Sequence, residues 1–318
     1  MKFDVVTFGS AFHDVYITSD EFKLQKSDEG VLLCEGYGKK VIVKERVATT
    51  GGGATNAAVC LERLGLRTAI VACLGTGHWG RMVKSQLKDE GVSLLYLQSV
   101  IDKPTSSSIA LVGRDGGRTV LVHRAASDCL SWHHVDWKRL NAQWAFVTSL
   151  GGDLDFLAKL TRWTREKGVK LAFNPGRKEI KKRSAVKKLL KYVAVLIMNR
   201  QELCEFLEVG VNDEISSEQI LALQANIIMI TDGKKGCRVY TQDGKEFFQK
   251  ATPVKPVEET GAGDSFGSTF VAGLIKGMSI PDCLQMAAFN ASEVVQAIGP
   301  KNGLLFWPEM KKRMKKAQ

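Results

Sequence analysis

Short apolar runs alternate with amphipathic runs along most of the chain, and the two kinds of run predict two kinds of element. A short run rich in β-branched and aromatic residues is typical of a buried strand, whereas apolar residues three or four positions apart are typical of a helix packed on one side. The predicted strands are 5–8, 68–74, 144–148, 170–173, 193–198 and 227–231. The predicted helices are 57–64, 81–90, 154–166, 201–207 and 266–276. This alternation predicts an α/β fold with a mostly parallel central sheet flanked by helices on both faces.

Two segments interrupt the alternation. The first, 15–47, has extended pieces at 15–18 and 41–43 around a glycine-rich, charged middle, and the second, 106–123, has two β-rich runs joined by a turn at 114–118. Neither contains a crossover helix, so we predict a small β-sheet lid outside the main sheet. The predicted division of the chain is a main α/β domain made of 1–14, 48–105 and 124–318, and a lid made of 15–47 and 106–123.

The composition is that of an ordinary globular protein, with 44% hydrophobic and 25% charged residues over 318 positions. No apolar run is long enough to span a bilayer and no basic and apolar leader precedes the first strand, so we expect a cytoplasmic protein with no membrane partner. The cysteines are scattered and never spaced C-x-x-C, which predicts free thiols and no zinc site.

The net charge of +11 is concentrated in 177–191 and 311–316. Neither cluster is interleaved with aromatic residues or lies in a known nucleic-acid-reading module, so we expect no nucleic-acid partner. The basic residues of 177–191 surround apolar ones at helical spacing, as on the solvated face of an amphipathic helix. The charge indicates a mild attraction for phosphorylated ligands.

The residues Gly261, Ala262, Gly263 and Asp264 directly precede the apolar stretch 266–275. This pattern predicts a flexible loop that opens into a helix, with free backbone N–H groups and one carboxylate at the helix N-terminus. Such a terminus carries roughly half a positive charge, which suits a transferring phosphate group. An anion site beside a carboxylate base is what phosphoryl transfer to a hydroxyl requires.

A second glycine-rich segment runs from Gly51 to Asn56, before the first long helix. Consecutive glycines let a ligand approach the backbone closely, and the amide of Asn56 can both donate to and accept from the hydroxyls of a polyol. A flexible hinge with Asn56 as a helix-start residue is an equally good interpretation of the same residues.

Two further polar groups follow predicted strands, where ligands bind in open α/β sheets. Asn199 and Glu202 follow one strand, and Thr231, Gly233 and Gly236 follow the next. The first pair also fits a capping box, and the second group also fits a simple turn.

Together these motifs resemble the ribokinase-like (PfkB) carbohydrate kinases in order and approximate spacing. The matching segments are Gly9-Ser10 with Asp14, Gly51-Gly52 with Asn56, the turn 75–80, Asn174-Pro175, Asn199 with Glu202, 231–236 and 261–264. The resemblance covers nearly the whole chain. The glycine-aspartate loop is specific, whereas the other motifs are weak singly and strong together.

The resemblance implies that Asp264 is the base that takes the proton of the acceptor hydroxyl. It implies an anion hole for the γ-phosphoryl formed by the backbone N–H groups of Gly261, Ala262 and Gly263. The implied acceptor-binding residues are Asp14, Gly51, Gly52 and Asn56. The implied nucleotide-binding residues are Asn199, Glu202, Thr231, Gly233, Gly236 and Asn290. Glu202 would also hold Mg²⁺ through water, and the lid could form a homodimer interface.

The expected activity is therefore an ATP- and Mg²⁺-dependent transfer of the γ-phosphoryl to a hydroxyl of a sugar or sugar-like small molecule. Two alternatives are a nucleoside kinase on the same fold and a catalytically silent relative that binds a metabolite. Potassium-activated members of the family use an aspartate where this chain has Glu258, so a requirement for a monovalent cation stays uncertain. Ribokinases place a sugar-contacting glutamate after the strand 144–148, where this chain has no glutamate within 149–153, so ribose itself is not a safe expectation.

Overall fold

Strands and helices alternate along the protein in its computed structural model, which describes residues 2–27 and 30–317. The strands are β1 (Phe3–Phe8), β2 (Phe12–Thr18), β3 (Lys23–Ser27), β4 (Gly30–Cys34), β5 (Glu45–Gly51), β6 (Thr68–Val71), β7 (Cys73–Gly75), β8 (Gln98–Val100), β9 (Ser107–Val112), β10 (Arg118–His123), β11 (Ala142–Val147), β12 (Lys170–Phe173), β13 (Val195–Asn199), β14 (Ile227–Thr231), β15 (Cys237–Thr241) and β16 (Glu246–Gln249). The α-helices are α1 (Gly53–Arg63), α2 (His78–Asp89), α3 (Leu154–Lys167), α4 (Arg177–Ile180), α5 (Arg183–Leu190), α6 (Arg200–Leu207), α7 (Ser217–Leu221), α8 (Ala262–Ile275), α9 (Ile280–Val294) and α10 (Trp307–Ala317).

The central sheet has eight strands in the order β16-β15-β14-β13-β12-β11-β1-β6. The six strands from β14 to β6 in that order pair in parallel. Strands β15 and β16 add an antiparallel edge. The predicted α/β fold with a mostly parallel sheet is therefore confirmed.

Helices cover both faces of this sheet because neighbouring residues of each strand point to opposite faces. Val5 lies in the apolar core to which α1, α8 and α9 contribute on one face, and its neighbour Val6 lies in the core to which α3, α5 and α6 contribute on the other. Trp144 and Ala145 divide in the same way. The strands are thus buried on both sides, which explains why they read as continuous apolar runs in the sequence.

A separate four-stranded sheet in the order β10-β9-β2-β5 forms the predicted lid. Strand β2 begins at Phe12 and β5 ends at Gly51, so the lid strands extend beyond the segment 15–47 at both ends. The small apolar core of the lid contains Tyr16, Ala110 and Val112. Strands β2 and β5 lead directly to β1 and α1, so lid residues lie beside the carboxyl edge of the main sheet.

One predicted strand and one predicted extended piece differ from the structure. The predicted strand 68–74 is divided at Ala72, because β6 joins the main sheet whereas β7 pairs with β8 in a separate two-stranded sheet. The segment 41–43 is not a strand. Its backbone is satisfied by side chains instead, since Ile42 donates to Glu21 and accepts from Ser19. Within the described residues, the helices are too short or too polar for any of them to cross a membrane.

Candidate active site

The N-terminus of α8 is shaped by a glycine in a left-handed conformation. Gly261 has φ 80°, and a Cβ placed on it would lie 2.5 Å from the Cβ of Pro300, so only glycine fits there without strain. The first strong hydrogen bond of the helix runs from Ser265 N to Gly261 O at 2.8 Å. The N–H groups of Gly263 and Asp264 precede that bond, in the part of a helix that leaves donors free for an anion.

The carboxylate of Asp264 is paired with an amide across the site. Asn56 Nδ2 donates to Asp264 Oδ2 at 2.7 Å, and this bond joins α1 to the first turn of α8. Burial raises the pKa of Asp264, while the hydrogen bond from Asn56 and the charge of Lys301 oppose that rise. The Oδ1 atom of Asn56 is buried and has no hydrogen-bond partner among residues 2–27 and 30–317. An amide oxygen in that situation is a ready acceptor for a ligand hydroxyl.

Asp14 lies at the same site on the lid strand β2. Its carboxylate accepts a hydrogen bond from Ser108 of β9 at 2.7 Å. Burial raises the pKa of Asp14, and the hydrogen bond from Ser108 lowers it. A side chain at Gly51 would overlap this carboxylate, so the glycine allows Asp14 to occupy its position. Gly52 has φ 91° and approaches the Ser10 carbonyl so closely that an added Cβ would be 2.6 Å from it.

A buried lysine that the motifs did not single out accompanies these carboxylates. Lys301 is 5% exposed, and its ammonium donates to the carbonyl oxygen of Thr50. Burial lowers the pKa of Lys301 to about 7, although the charges of Asp14 and Asp264 favour its protonated form. In the sequence, Lys301 is marked only by its turn-forming neighbours, in the segment Gly299-Pro300-Lys301-Asn302-Gly303. A lysine in a turn is normally exposed, so that signal does not reveal its burial.

A cavity of about 530 Å³ lies against the same helix terminus. It brings the end of β14 and the turn after it together with the first turn of α8, since its lining includes Thr231, Gly233, Gly236, Ala262 and Gly263. Most of the rest of its wall is apolar, formed by Pro253, Val254, Pro256, Phe266, Ala288, Ala291 and Val295. Such a space suits a flat apolar group with phosphates at one end.

Asn199 and Glu202 form a reciprocal capping box at the start of α6. Glu202 N donates to Asn199 Oδ1 at 2.8 Å, and Asn199 N donates to Glu202 Oε2 at 2.9 Å. The capping interpretation therefore describes their geometry, and neither residue lines the cavity. Burial raises the pKa of Glu202, and the negative charge of Asp264 raises it further.

Asn290 has a different environment from the other nucleotide-binding candidates. It is fully buried in α9, where Nδ2 donates to Thr269 Oγ1 at 2.8 Å and Oδ1 accepts from Leu305 N at 2.9 Å. The cavity is lined by the opposite face of the helix, including Ala288 and Ala291, and not by Asn290. Its contacts are those of a residue that joins α8, α9 and the chain before α10.

The described part of the chain contains no cluster of three or more His, Cys, Asp or Glu side chains able to hold a metal ion. Any divalent cation at this site would therefore depend on ligand oxygens and water for most of its coordination. That is the normal situation of Mg²⁺ in a phosphate-transferring site, because Mg²⁺ keeps several waters and needs few protein ligands.

Comparisons with known proteins agree with this geometry. Residues 2–306 match the family described as pfkB family carbohydrate kinase. The ribokinase of Bacillus subtilis (strain 168) is 25% identical over 303 residues, which are 95% of this chain and 96% of that protein. The cytidine kinase of Thermococcus kodakarensis is 26% identical over 263 residues, which are 80% of this chain and 90% of that protein.

The fold has the same relatives. The crystal structure of a putative ribokinase II from E. coli in complex with ATP and Mg²⁺ superimposes with a TM-score of 0.81 at 20% identity, covering 98% of this chain and 99% of that chain. At this identity the superposition establishes the fold, and the match over residues 2–306 establishes the family. The resemblance inferred from the motifs is confirmed, and the chain belongs to the pfkB family of carbohydrate kinases, which are phosphotransferases.

Proposed function

We propose that this protein transfers the γ-phosphoryl group of ATP, with Mg²⁺, to a hydroxyl of a sugar or sugar-like small molecule. In this proposal Asp264 is the general base. The backbone N–H groups of Gly261, Ala262 and Gly263 form the anion hole. The acceptor and the nucleotide approach the N-terminus of α8 from opposite sides.

The observation that carries the proposal is the hydrogen bond between Asn56 and Asp264 in the first turn of α8, whose N-terminus lines the cavity. A carboxylate in this place can accept the proton of an attacking hydroxyl while the helix terminus attracts the phosphoryl group. The unpartnered Oδ1 of Asn56 can accept a hydrogen bond from a second hydroxyl of the same acceptor. A polyol satisfies both needs.

Asp14, Gly51 and Gly52 complete the proposed acceptor site. Asp14 offers carboxylate oxygens beyond the bond it receives from Ser108, and ionised carboxylates are strong acceptors for sugar hydroxyls. Because Asp14 belongs to the lid and Asp264 to the main sheet's helices, an acceptor held by both would bridge the two sheets. Closure of the lid would then exclude water from the reacting hydroxyl.

The cavity suits ATP as the donor. Its apolar wall can pack against a base, and the glycines of 231–236 let phosphates approach the backbone closely. Asn199 and Glu202 stand at the adjacent strand end, where β13 pairs with β14. A cation would be favoured there by the carboxylates of Glu202 and Asp264, since the charge of Asp264 also raises the pKa of Glu202. Bound Mg²⁺ would supply neutralisation of the charge on the phosphate oxygens.

Two opposing influences act on the pKa of Asp264. Burial disfavours its charged form, which makes the carboxylate more basic than one in water. The bond from Asn56 and the positive charge of Lys301 keep the ionised form accessible. General base assistance of this kind contributes about 10²- to 10⁴-fold in rate, and charge stabilisation by the helix terminus adds at least as much.

A nucleoside is the second candidate acceptor, and the similarity of this chain to a cytidine kinase favours it. Trp79 is 41% exposed and stacks on His13, with ring centroids 4.0 Å apart and planes 23° apart. His13 and Asp14 are neighbours on β2 and therefore point to opposite faces of the lid sheet, so this stack lies on the face away from the Asp14 carboxylate. Phe12, Tyr16 and Phe22 of the lid are buried and offer no comparable free face.

A second copy of this chain is the macromolecular partner that we propose for the lid. Strand β10 is an edge strand, and its side chains Val120, Leu121 and Val122 are all more than two-fifths exposed. Edge strands with solvent-exposed apolar side chains tend to pair with another chain unless they are covered. A dimer through this edge would bury those side chains.

The experiment that tests the proposed activity is ADP release from ATP and Mg²⁺ with a panel of pentoses, hexoses, hexose phosphates, keto-deoxy sugar acids and nucleosides. We expect turnover with one class of acceptor. Asp264→Asn should lower kcat by about 10²- to 10⁴-fold because the amide cannot accept the proton. Binding of ATP, measured separately by calorimetry, should stay nearly unchanged.

The outcomes of this panel separate the candidates. Turnover with nucleosides alone would favour the second acceptor class, and silence with intact ATP binding would favour the catalytically silent relative. Substantial turnover by the Asp264→Asn variant would show that another group is the base. If the unaltered protein does not bind ATP, the proposed kinase activity itself is contradicted.

A further inference from the structure

A buried glutamate lies directly before the anion-hole loop. Glu258 is fully buried, and its Oε1 accepts a hydrogen bond from Thr260 N at 2.6 Å and another from the Thr260 hydroxyl. Its other oxygen, Oε2, has no hydrogen-bond partner within the described ranges. A carboxylate without water is costly unless a positive charge accompanies it.

The positive charge comes from the lid. Arg118, the first residue of β10, places Nε 3.5 Å from Glu258 Oε1. The turn before β10 lies against the same segment, because a Cβ added to Gly116 would be 3.4 Å from the Val257 carbonyl oxygen and 3.5 Å from that of Pro256. Among the ion pairs of residues 2–27 and 30–317, this is the one that joins the lid to the segment before α8.

The contact continues from Glu258 to the reacting end of α8. Thr260 is held by both of its donors to Glu258, and the next residue is Gly261, whose left-handed conformation aims the first turn of the helix. On the other side, Val257 N and Glu258 N donate to the carbonyl oxygen of Val295 after α9, at 2.7 and 3.2 Å. The carboxylate of Glu258 is therefore the link between a fixed backbone and the loop.

We propose that Arg118 is a positioning residue for phosphoryl transfer, which neutralises Glu258 when the lid is closed and so holds Thr260 and the anion-hole loop in place. The proposal rests on the kinase activity proposed above. Without the guanidinium, the buried charge of Glu258 lacks its partner, and the side chain turns toward water and releases Thr260. Contact of the lid with Glu258 and ordering of the anion hole are then one event.

Two readouts test the role of Arg118. In the panel assay with the acceptor that is turned over, Arg118→Met should lower kcat about ten- to hundredfold and leave the KM for ATP within about threefold. Hydrogen exchange of the ligand-free full chain needs no acceptor. In that measurement the amides of 257–263 should exchange at least about tenfold faster in Arg118→Met.

Controls distinguish positioning from simple damage to the fold. Arg114→Met removes a guanidinium from the same hairpin, one that donates to the Asp20 carbonyl and not to Glu258, and should change neither readout. Adding Glu258→Gln to Arg118→Met removes the unpaired charge and should recover most of the lost protection and rate. In both readouts Arg118→Lys should lie between the unaltered protein and Arg118→Met, because lysine keeps the positive charge and loses the planar guanidinium.

The result that would overturn the proposal is unchanged exchange at 257–263 in Arg118→Met, or an equal change in Arg114→Met. Faster exchange in a protein that turns over none of the panel would support the coupling of lid and loop while contradicting the kinase activity.

Discussion

Replacing Asn56 with leucine tests how Asp264 is kept ready to act as a base. The change removes the 2.7 Å hydrogen bond from Asn56 Nδ2 to Asp264 Oδ2 and keeps the volume of the side chain. A hydrogen bond to a charged group contributes about 1.5–3 kcal/mol, and one pKa unit corresponds to about 1.4 kcal/mol. Because the bond stabilises the ionised carboxylate, its loss should raise the pKa of Asp264 by about 1–2 units.

The assay is the pH dependence of kcat/KM for the acceptor, from about pH 5 to 9 at saturating ATP. On the acid side, kcat/KM falls as Asp264 becomes protonated, so in Asn56→Leu this limb should move to higher pH by about 1–2 units. Asn56 also contacts the proposed acceptor, so the plateau should fall as well. The shift of the limb, and not the height of the plateau, reports the pKa.

The matched control for this experiment is Thr55→Val. The Thr55 hydroxyl donates to the Gly51 carbonyl at 2.6 Å, so valine removes a buried hydrogen bond one residue away and leaves the pair of Asn56 and Asp264 intact. The acid limb of this variant should coincide with that of the unaltered protein. An Asn56→Leu limb that stays in place or moves to lower pH would refute the reasoning.

Two other predictions concern stability and assembly. Burial lowers the pKa of Lys301 from its ordinary value of 10.5 to about 7. Between those two values the unfolded chain binds more protons than the folded one, so burial of Lys301 makes stability rise with pH there. Lys301→Met should remove up to about 1.4 kcal/mol per pH unit from that slope, as measured by urea unfolding at several pH values, and identical slopes in both proteins would contradict the burial of a neutral amine. Leu121→Lys puts a charge on the apolar lid edge and should shift the sedimentation coefficient from that of a dimer toward that of a monomer. The control Val211→Lys changes an equally exposed residue (57% for both) and should leave sedimentation unchanged. A monomeric unaltered protein would contradict the lid dimer.

The parts of the site that the sequence predicts are those encoded locally. The glycines and the aspartate of 261–264 precede an apolar helical run, and the structure has α8 beginning at Ala262. The residues after β14 follow a strand that is apolar enough to be recognised, and they line the cavity beside α8. In both cases a chain of about ten residues carries the whole signal.

The parts that the sequence does not predict depend on contacts between distant segments. Lys301 is a lysine in a turn until the fold buries it against Thr50. Glu258 gains its partner only when the lid hairpin brings Arg118 to it. Asn290 illustrates a different difficulty. Successive side chains of a helix point about 100° apart, and the resemblance that implied a nucleotide-binding role for Asn290 does not state which side of α9 faces the cavity.

The distance along the chain between Asn56 and Asp264 has a consequence for how the protein comes to be active. Their hydrogen bond joins residues 208 positions apart, so it closes a loop that contains most of the main sheet and half of the lid. Contacts of such long range form late, because the chain entropy lost in closing the loop is recovered only by the elements packed inside it. No fragment of the chain that lacks either end can present a base paired with its amide. During synthesis the reactive centre is therefore assembled only after α8 has emerged and docks on α1.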